Sequence, residues 1–416
     1  MIAINSFLLA FFVIYIFGSV ADILLDIVNA AYLKKNGMTV PAGFTGYVDE
    51  GQLKKITAYT ADNTKISVIK SIAGMIFFIC IIIFGFLPWL SGILHGLNYV
   101  FAGLIFFAVP GLISSLIGLP FSYYNTFIIE GRYGFNTSDM KTWILDNIKT
   151  LVISLILGGI LLSLLLIMIE LTGKFWWLWA WGIFLAFQLL MTVIYPTVIA
   201  PVFNKFTPIE DKDLEKAIRD LAEREGISVT GIFQMDAGKR SRHTNAYFSG
   251  LGKNKRIVLF DTLIEAHSRD EILAVLAHEI GHLKKGHIKK QLILVSAVSL
   301  FLFYIAALMI DWDIMYRSFG FAAKVKPFYA GLFLISILWG PAGFFVSPVF
   351  MALSRKYERE SDRFARDALD DPNPLINALR KMAVDNLSNL CPHPLYVKFN
   401  YSHPPITERI ANLESM

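Results

Sequence analysis

The sequence predicts a mainly α-helical protein that spans a membrane seven times and carries a split polar domain of mixed α and β structure. Three observations predict this class. First, 55% of the 416 residues are hydrophobic and 17% are charged, whereas a soluble domain carries about 25% charged residues. Second, the apolar residues form long runs without charge. Third, two long polar blocks, residues 204–290 and 354–416, lie between and after these runs. The composition therefore argues against a soluble cytosolic enzyme.

Seven apolar runs approach the length of about 20 residues that a helix needs to cross a membrane. Pro110 and Pro120 are expected to kink the third run, and Pro341 and Pro348 to interrupt the seventh. Four tryptophans open the fifth run, as is common at a membrane surface. We expect spans at residues 2–21, 71–90, 97–124, 151–169, 176–199, 292–310 and 328–350.

The positive charges of the short loops predict the orientation, because Lys and Arg are enriched on the cytoplasmic side. The segment between the first two runs contains six lysines, whereas no Lys or Arg precedes the first run or separates the second from the third. The N-terminus is therefore expected outside the cytoplasm and both polar blocks inside it. The expected segments are 1–203 with five spans, 204–290, 291–353 with two spans, and 354–416.

The cysteines and the net charge indicate no further function. Cys80 lies in an apolar run, far along the chain from Cys391, so there is no disulfide framework. The net charge of +5 comes from basic residues that are spread over the loops. A nucleic-acid surface would gather them in one stripe, so we expect the lipid bilayer and no nucleic acid as a partner.

The first polar block is expected to contain helices and a small antiparallel sheet. Residues 211–224 are rich in helix formers. Ser268 and Glu271 form a Ser-x-x-Glu capping box before an apolar run, which predicts the start of a helix. Three short apolar stretches, separated by Gly, Lys and Asn, are typical of strands. These strands are expected at residues 231–235, 246–248 and 256–260.

The helix that starts near Ser268 carries the motif His-Glu-Ile-Gly-His at residues 278–282. Histidines four residues apart lie on one face of a helix, so both can bind one metal ion, and Glu279 can accept a proton from water. Zinc in a hydrolase takes three protein ligands and leaves a position for water, so a third ligand is required. A helix with two exposed histidines is the alternative. His287 is expected at the surface, off the ligand face.

A second cluster, after the seventh run, offers the missing ligand. Glu358 and Asp362 are four residues apart in the charged stretch 355–362. Glu358 can complete the metal site, and Asp362 can accept a hydrogen bond from the free ring N–H of a ligand histidine. A solvated run of charges at a helix start is the alternative. Together the two clusters predict a zincin-like metalloprotease domain.

These motifs give the chain a resemblance to the type 1 CAAX prenyl endopeptidases, a family of seven-span gluzincin metalloproteases. The resemblance covers nearly the whole length. The matching stretches are Tyr195-Pro196, residues 201–206, His243-Thr244-Asn245-Ala246-Tyr247, residues 278–282, Ser354-Arg355 leading to Glu358 and Asp362, Ser402-His403-Pro404-Pro405 leading to Glu408-Arg409, and a loop at residues 130–136.

The resemblance implies one catalytic zinc ion. His278, His282 and Glu358 are then its ligands, Glu279 is the general base and proton shuttle, and Asp362 orients a ligand histidine without binding the metal itself. It also implies that the seven helices enclose a chamber. The split α+β domain would cap this chamber, with the zinc facing inward.

Further residues are expected to bind the substrate. The resemblance implies that Asn245 and His403 hold the peptide backbone and stabilise the oxyanion. Ala246 and Tyr247 begin a short segment that can act as an edge strand, to which an extended peptide adds. Arg409 can pair with a substrate carboxylate or with a nearby acid, and both roles stay open.

The leading hypothesis is a zinc endopeptidase that removes the C-terminal tripeptide after a prenylated cysteine of a peptide or protein substrate. A membrane quality-control metalloprotease without a prenyl requirement is the alternative enzyme, although that type has fewer spans. A zinc-stabilised scaffold is the alternative outside catalysis, and Glu279 argues against it because a structural site has no use for a base. Eukaryotic members of the resembled family often end in a basic, retention-like tail, whereas this sequence ends in Asn412-Leu413-Glu414-Ser415-Met416 and lacks long loop insertions. Both features favour a prokaryotic inner membrane over the endoplasmic reticulum.

Overall fold

The computed structural model describes residues 4–250, 255–322 and 326–415. These residues form a set of long apolar helices and a polar half in which a four-stranded sheet packs with shorter helices. The start of the predicted run 2–21 lies outside the described residues.

The helices and strands are numbered in the order in which they follow one another along the chain. The helices are α1 (Ser6–Asn36), α2 (Glu50–Ile83), α3 (Phe86–Ile93), α4 (Tyr99–Tyr123), α5 (Gly131–Tyr133), α6 (Met140–Thr172), α7 (Trp176–Ile194), α8 (Ala200–Phe203), α9 (Lys212–Arg224), α10 (Asp261–Ala266), α11 (Arg269–Lys284), α12 (His287–Met309), α13 (Asp313–Ser318), α14 (Phe328–Leu369), α15 (Asn373–Asp385), α16 (Pro394–Asn400) and α17 (Ile406–Glu414). The strands are β1 (Phe206–Pro208), β2 (Val229–Met235), β3 (Ala246–Ser249) and β4 (Lys255–Phe260).

Six helical stretches of the described residues are long and apolar enough to cross a membrane. The longest, Met140–Phe203, has 64 residues and contains two of the predicted runs, 151–169 and 176–199. Within it α6 and α7 pack against each other, so the chain reverses near Gly173, whose φ of +53° favours glycine. The other five stretches are Ser6–Asn36, Glu50–Ile83, Tyr99–Tyr133, His287–Met309 and Phe328–Leu369.

Prolines do not end the helices in which they lie. α4 continues through Pro110 and Pro120, and α14 is one continuous helix that contains Pro341 and Pro348. The predicted interruption of the seventh run is therefore wrong. In a membrane-spanning helix, neighbouring groups can satisfy the backbone carbonyls that proline leaves free, so the helix persists. As a consequence, α14 continues beyond the apolar run and carries the start of the second polar block.

The sheet is mixed, with the strand order β1-β2-β4-β3. β2 and β4 pair in parallel, while β1 with β2 and β3 with β4 pair antiparallel. The prediction of an antiparallel sheet is therefore wrong, and β1 is a strand that the sequence does not predict. β3 and β4 form an antiparallel pair, and β4, not β3, lies beside β2. Because β4 runs in the same direction as β2, the sheet is mixed. This leaves β3 at the edge of the sheet, as expected for residues 246–248.

One hydrophobic core joins the sheet to the helices of the polar half. Leu259 of β4, Leu276 of α11 and Leu379 of α15 belong to it, and each is at most 4% exposed. Burial of one such side chain contributes about 1.5–3 kcal/mol. Leu53 and Ile56, from the first turns of α2, lie in the same core. The polar half is therefore packed directly onto helices that continue into the apolar region.

α11 begins as predicted and packs closely on α14. The Glu271 carboxylate accepts the Ser268 N–H at 2.8 Å, and the Ser268 hydroxyl accepts the Glu271 N–H at 3.4 Å, which completes the capping box. Gly281 lies at the contact with α14. A Cβ at this position would be 3.0 Å from the Cα of Ser361, so glycine permits the close approach of the two helices. The two helices with the predicted ligands are thereby held side by side.

Candidate active site

The face of α11 that packs on α14 carries both histidines of the 278–282 motif. His278 and His282 are one turn apart, and their Nε2 atoms lie 3.2 Å from each other. The side chain of His278 is 8% exposed, and that of His282 is 22% exposed. His278 is therefore buried, whereas His282 is partly accessible to solvent.

Glu358 of α14 completes a cluster with these two histidines. Its Oε2 lies 3.3 Å from Nε2 of His278, and its Oε1 lies 3.2 Å from Nε2 of His282. One atom from each of the three residues can be chosen so that all lie within 4.8 Å of one another. The carboxylate is 6% exposed, and a buried carboxylate needs a cation or a hydrogen-bonded partner.

The dimensions of this cluster fit a tetrahedral zinc ion. Zinc binds imidazole nitrogen and carboxylate oxygen at about 2.0–2.2 Å, which puts the ligand atoms of a tetrahedron about 3.3–3.5 Å apart. The observed separations of 3.2–3.3 Å are close to that value. Among the described residues, the buried Oε2 of Glu358 has no hydrogen-bond partner, as expected for an oxygen that binds a cation. Two imidazoles and one carboxylate also leave a fourth position for water.

Asp362, one turn beyond Glu358, holds His278 in a fixed orientation. Its Oδ1 lies 2.8 Å from Nδ1 of His278, so it can accept a hydrogen bond from a proton on that nitrogen. Arg409 of α17 donates to the same carboxylate, from Nε to Oδ2 at 2.8 Å and from Nη2 to Oδ1 at 2.5 Å. With its proton on Nδ1, His278 keeps Nε2 free for a metal. Arg409 therefore contacts a nearby acid, which is one of the two roles that the sequence leaves open.

The carboxylates around His278 also change its proton affinity. Burial lowers the pKa of His278, but the nearby carboxylates of Asp362 and Glu358 outweigh burial and raise the pKa to about 9. A site that stabilises a proton on a buried imidazole stabilises a metal cation for the same electrostatic reason. Burial raises the pKa of Glu279, and the positive charges of the neighbouring histidines oppose this effect. A raised pKa suits a carboxylate that accepts a proton and releases it again near neutral pH.

His287 is buried beside the cluster, at 1% exposure. Its Nδ1 lies 3.1 Å from Nδ1 of His282, and its Nε2 lies 3.0 Å from the carboxylate of Glu360. The expectation of a surface histidine is therefore wrong. Gly286, with a φ of +66°, separates α11 from α12, so the first residue of α12 faces back toward His282. The prediction assumes that one helix continues from His282 to His287. The helix ends between them, so the spacing of five residues does not tell which way His287 points.

His403 lies on the more open side of the cluster. Its Nε2 is 3.3 Å from Oε1 of Glu358, and its Nδ1 is 2.9 Å from the hydroxyl of Ser402. Its side chain is 61% exposed, although it touches a carboxylate that is almost fully buried. A group in this position can contact both the metal site and a peptide that approaches it.

Two arginines of α14 hold the chain segment on either side of His403. Arg355 donates to the backbone carbonyls of Val397 and Tyr401 at 2.8 and 2.7 Å. Arg359 pairs with Glu408 at 2.7 Å. The sequence does not reveal these roles, since the partners lie 42 to 49 residues further along the chain. The only signal is the high density of charge in the stretch 355–362.

Asn245 directly precedes the edge strand β3, which packs against α11. Its backbone carbonyl accepts the N–H of Phe260 at 3.1 Å, and its Oδ1 accepts the N–H of Ala246 at 2.8 Å. Backbone groups alternate along an antiparallel strand, so those of Asn245 and Tyr247 face β4, and those of Ala246 and Phe248 face the open edge. The contacts of Asn245 are thus with β3 and β4, and its side chain is at the exposed surface.

Two family models match the chain, one after the other. Residues 29–205 match the family described as CAAX prenyl protease N-terminal, five membrane helices. Residues 208–416 match peptidase family M48.

Curated proteins from several organisms are similar to most of the chain. A CAAX prenyl protease 1 homolog from Arabidopsis thaliana is 35% identical over 386 residues, which is 90% of each chain. CAAX prenyl protease 1 from Saccharomyces cerevisiae is 38% identical over 337 residues, 77% of this chain and 74% of the yeast protein. A homolog from Homo sapiens is 31% identical over 424 residues, 91% of this chain and 89% of the human one.

A solved structure shares the fold over almost the whole length. The crystal structure of Ste24p from S. mikatae matches with a TM-score of 0.93 and 31% sequence identity. The match covers 99% of this chain and 100% of that one.

Proposed function

Because this chain belongs to peptidase family M48, which it shares with the CAAX prenyl proteases, we propose that it is a membrane zinc endopeptidase that removes the C-terminal residues after a prenylated cysteine. The observation that carries the proposal is the cluster of His278, His282 and Glu358, with Glu279 next to His278 on the same helix. Two of these ligands come from α11 and the third from α14, which is itself one of the long apolar helices. The site therefore combines a metal cluster and a base, and one of its ligands lies on a long apolar helix.

The chain's own residues carry out the proton transfers. Zinc, when bound by His278, His282 and Glu358, supplies Lewis-acid chemistry to the scissile carbonyl and makes water more acidic. Glu279 accepts a proton from the attacking water and delivers it to the nitrogen of the leaving peptide. Asp362 keeps His278 in the tautomer that leaves Nε2 for the metal.

Substrate binding is proposed to use β3 together with Asn245 and His403. The open edge of β3 can accept an extended peptide as a further strand, through the carbonyl of Ala246 and the backbone groups of Phe248, with Tyr247 between them. Such binding depends little on the side chains of the peptide. Asn245 and His403 then donate to the carbonyl oxygen as it becomes negative, at about 2.7–4 kcal/mol for one such donor in other proteases.

The proposed membrane arrangement has seven spans around a chamber, with the zinc facing inward. Met140–Phe203 folds back on itself and can supply two spans, which makes seven with the other five stretches. Apolar helices around a chamber would hold a prenyl chain while the peptide reaches α11. The distribution of lysines supports a cytoplasmic position for both polar blocks and an external N-terminus.

The membrane that contains the protein remains a prediction. Short loops between the predicted spans favour a prokaryotic inner membrane. The similar proteins from Arabidopsis thaliana, Saccharomyces cerevisiae and Homo sapiens are eukaryotic, so the endoplasmic reticulum deserves the same test. Fractionation of the source cells distinguishes the two locations.

Cleavage of a farnesylated CAAX peptide and of its unprenylated twin tests the function. We expect the purified protein to cut the farnesylated peptide after the modified cysteine, to lose this activity with a zinc chelator and to regain it with added zinc. Glu279→Gln should abolish cleavage and still bind zinc, because Glu279 is not a ligand. Glu265→Gln makes the same change at an exposed residue and should leave cleavage unchanged.

The other outcomes separate the alternatives. Equal cleavage of both peptides would contradict a prenyl requirement and favour a quality-control endopeptidase. If neither peptide nor an unfolded membrane protein is cut, and Glu279→Gln keeps the biological activity in cells, a zinc-stabilised scaffold becomes the better description.

A further inference from the structure

The two histidines of the metal cluster differ in what their second ring nitrogen contacts. Nδ1 of His278 faces the carboxylate of Asp362 at 2.8 Å. Nδ1 of His282 instead faces another imidazole nitrogen, Nδ1 of His287, at 3.1 Å. A hydrogen bond between two ring nitrogens needs a proton on one and a lone pair on the other, so the tautomers of the two histidines are linked.

Glu360 determines the direction of this link. Nε2 of His287 lies 3.0 Å from the carboxylate of Glu360, which accepts but does not donate hydrogen bonds when ionised. A neutral His287 therefore carries its proton on Nε2 and has a lone pair on Nδ1. His282 then donates from Nδ1, and its Nε2, 3.2 Å from Oε1 of Glu358, stays unprotonated for a metal.

Packing fixes the ring of His287 in the position that this arrangement needs. The ring stacks on Tyr357, with a centroid distance of 4.2 Å and an interplanar angle of 12°. Tyr357 and Glu360 lie on α14 close to the ligand Glu358, so one helix provides a metal ligand and both neighbours of His287. The turn at Gly286 places His287, the first residue of α12, against this part of α14.

We propose that His287, oriented by Glu360, is a positioning residue that sets the tautomer and the ring orientation of His282 for metal binding. The inference rests on the proposed zinc site and concerns how tightly and in which geometry that site holds its ion. His287 would thus do for His282 what Asp362 does for His278, namely hold the ring in place through its Nδ1. The difference is that an imidazole stands between this ligand and its carboxylate. Partners of this kind change metal affinity by about 10- to 100-fold.

Zinc affinity of the full-length protein in detergent, measured by competition with a chromophoric chelator, tests the inference. Two variants of equal size separate hydrogen bonding from packing. His287→Leu removes the acceptor and should weaken zinc binding about 10- to 100-fold. His287→Asn offers an amide oxygen near the position of Nδ1 and should recover most of that loss. Lys356→Gln is the control, because Lys356 is exposed and lies 3.9 Å from Glu360, and it should bind zinc like the wild type.

Glu360 provides an independent route to the same result. Its side chain is 30% exposed, so Glu360→Ala should fold even if the buried His287 variants do not. We expect Glu360→Ala to weaken zinc binding and to cause little further loss when it is added to His287→Leu, since both residues act through one chain of hydrogen bonds. Visible absorption of the Co²⁺-substituted protein should shift in His287→Leu and stay unchanged in Lys356→Gln.

Three results would be decisive against the inference or its premise. Unchanged zinc affinity and an unchanged cobalt spectrum in His287→Leu would overturn it while leaving the metal site intact. Equal losses in His287→Leu and His287→Asn would also overturn it, because packing would then explain the effect. A wild-type protein that binds no zinc would overturn the proposed function itself.

Discussion

At the residue scale, the orientation of His278 depends on Asp362. Asp362→Asn keeps the size of the side chain but removes the charge that pairs with His278 and Arg409. We expect zinc affinity to fall about 10- to 100-fold. Arg409, 11% exposed, would lose its nearest counter-charge and keep only the 3.9 Å contact with Glu358, at a cost of up to about 3–5 kcal/mol in the free energy of unfolding.

Chelator competition and thermal unfolding measure these two effects. Asp367→Asn is the matched control, because Asp367 is an acid of the same helix whose side chain is 59% exposed. It should change neither quantity. Zinc binding by Asp362→Asn that equals that of the wild type would contradict the role given to Asp362.

Arg409 allows a direct test between its two possible partners. The two hydrogen bonds to Asp362 predict that Arg409 acts through this carboxylate. Arg409→Lys keeps the charge but cannot form the same paired contact. We expect it to slow the cleavage of peptides with a free C-terminal carboxylate and of their C-terminal amides by the same factor. Selective loss for the carboxylate form, seen in kcat/KM, would instead indicate that Arg409 binds the substrate.

The sequence predicts that His278, His282 and Glu358 lie together and that Asp362 contacts a ligand histidine, but it does not predict the contacts of Arg409 and His287. His278 and His282 share a helix, and so do Glu358 and Asp362, so a spacing of four residues is enough to pair them. Arg409 meets Asp362 across 47 residues of chain, and no local pattern encodes that distance. The same is true of His287, which lies beyond a turn with positive φ.

At the scale of elements, the contact of α11 with α14 decides whether the ligands meet. Gly281→Ala would put a Cβ 3.0 Å from the Cα of Ser361 and 3.2 Å from the Cβ of Phe364. Because one of these atoms is backbone, the helices must move apart. We expect a loss of about 1–3 kcal/mol in the free energy of unfolding and weaker zinc binding. Gly158→Ala in α6, where the added Cβ has nothing within 4 Å, is the control. Equal unfolding and zinc affinity in both variants would contradict this role of Gly281.

His243 links the membrane helices to the segment that leads to β3. Its ring contacts Glu130 at 3.3 Å and Asn386 at 2.8 Å, and Tyr59 of α2 donates to the same glutamate at 2.6 Å. The hydrogen bond to Glu130 raises the pKa of His243 against the opposing effect of burial. The strength of this link should therefore depend on pH.

The sign of the pH dependence follows from the raised pKa. A histidine of this kind stabilises the fold fully below its unfolded pKa of about 6.5, and the contribution is lost as the pH rises through the raised folded pKa. We expect the Tm of the wild type to exceed that of His243→Asn most at about pH 6, and by less toward about pH 8. Glu130→Gln should remove the same pH dependence. A Tm difference that stays constant over this range would show that His243 contributes only packing, for instance against Phe135.

Elements that depend on local chemistry were predictable, and elements that depend on distant pairing were not. The capping box at Ser268 and the polar helix α9 follow from neighbouring residues. The mixed sheet does not, because the pairing of β4 with β2 joins strands that β3 separates along the chain. Likewise Pro341 and Pro348 are helix breakers by local rules, and α14 continues through both because of its surroundings.

At the scale of the whole molecule, the catalytic and membrane parts share their elements. α14 runs from the apolar region to Glu358 and Asp362, and the start of α2 lies in the core of the polar half. The composition predicts separate apolar and polar segments, but α2 and α14 are continuous helices that each belong to both. A shift of these helices would move a metal ligand relative to α11, so we expect zinc affinity to depend on how well detergent or lipid preserves the helix packing.

We predict that the reversal of the chain at Gly173 lies outside the cytoplasm, which would make α6 and α7 two separate spans and bring the total to seven. Lys141 lies at the start of α6 and Lys174 next to the reversal, and both are exposed. In a protein with Cys80 and Cys391 replaced by serine, Lys174→Cys should react with a membrane-impermeant maleimide from outside the cytoplasm, and Lys141→Cys only from the cytoplasmic side. Reaction of both from one side would contradict seven spans. Reaction from exchanged sides would keep the span count but reverse the orientation, and the metal cluster would then face away from the cytoplasm.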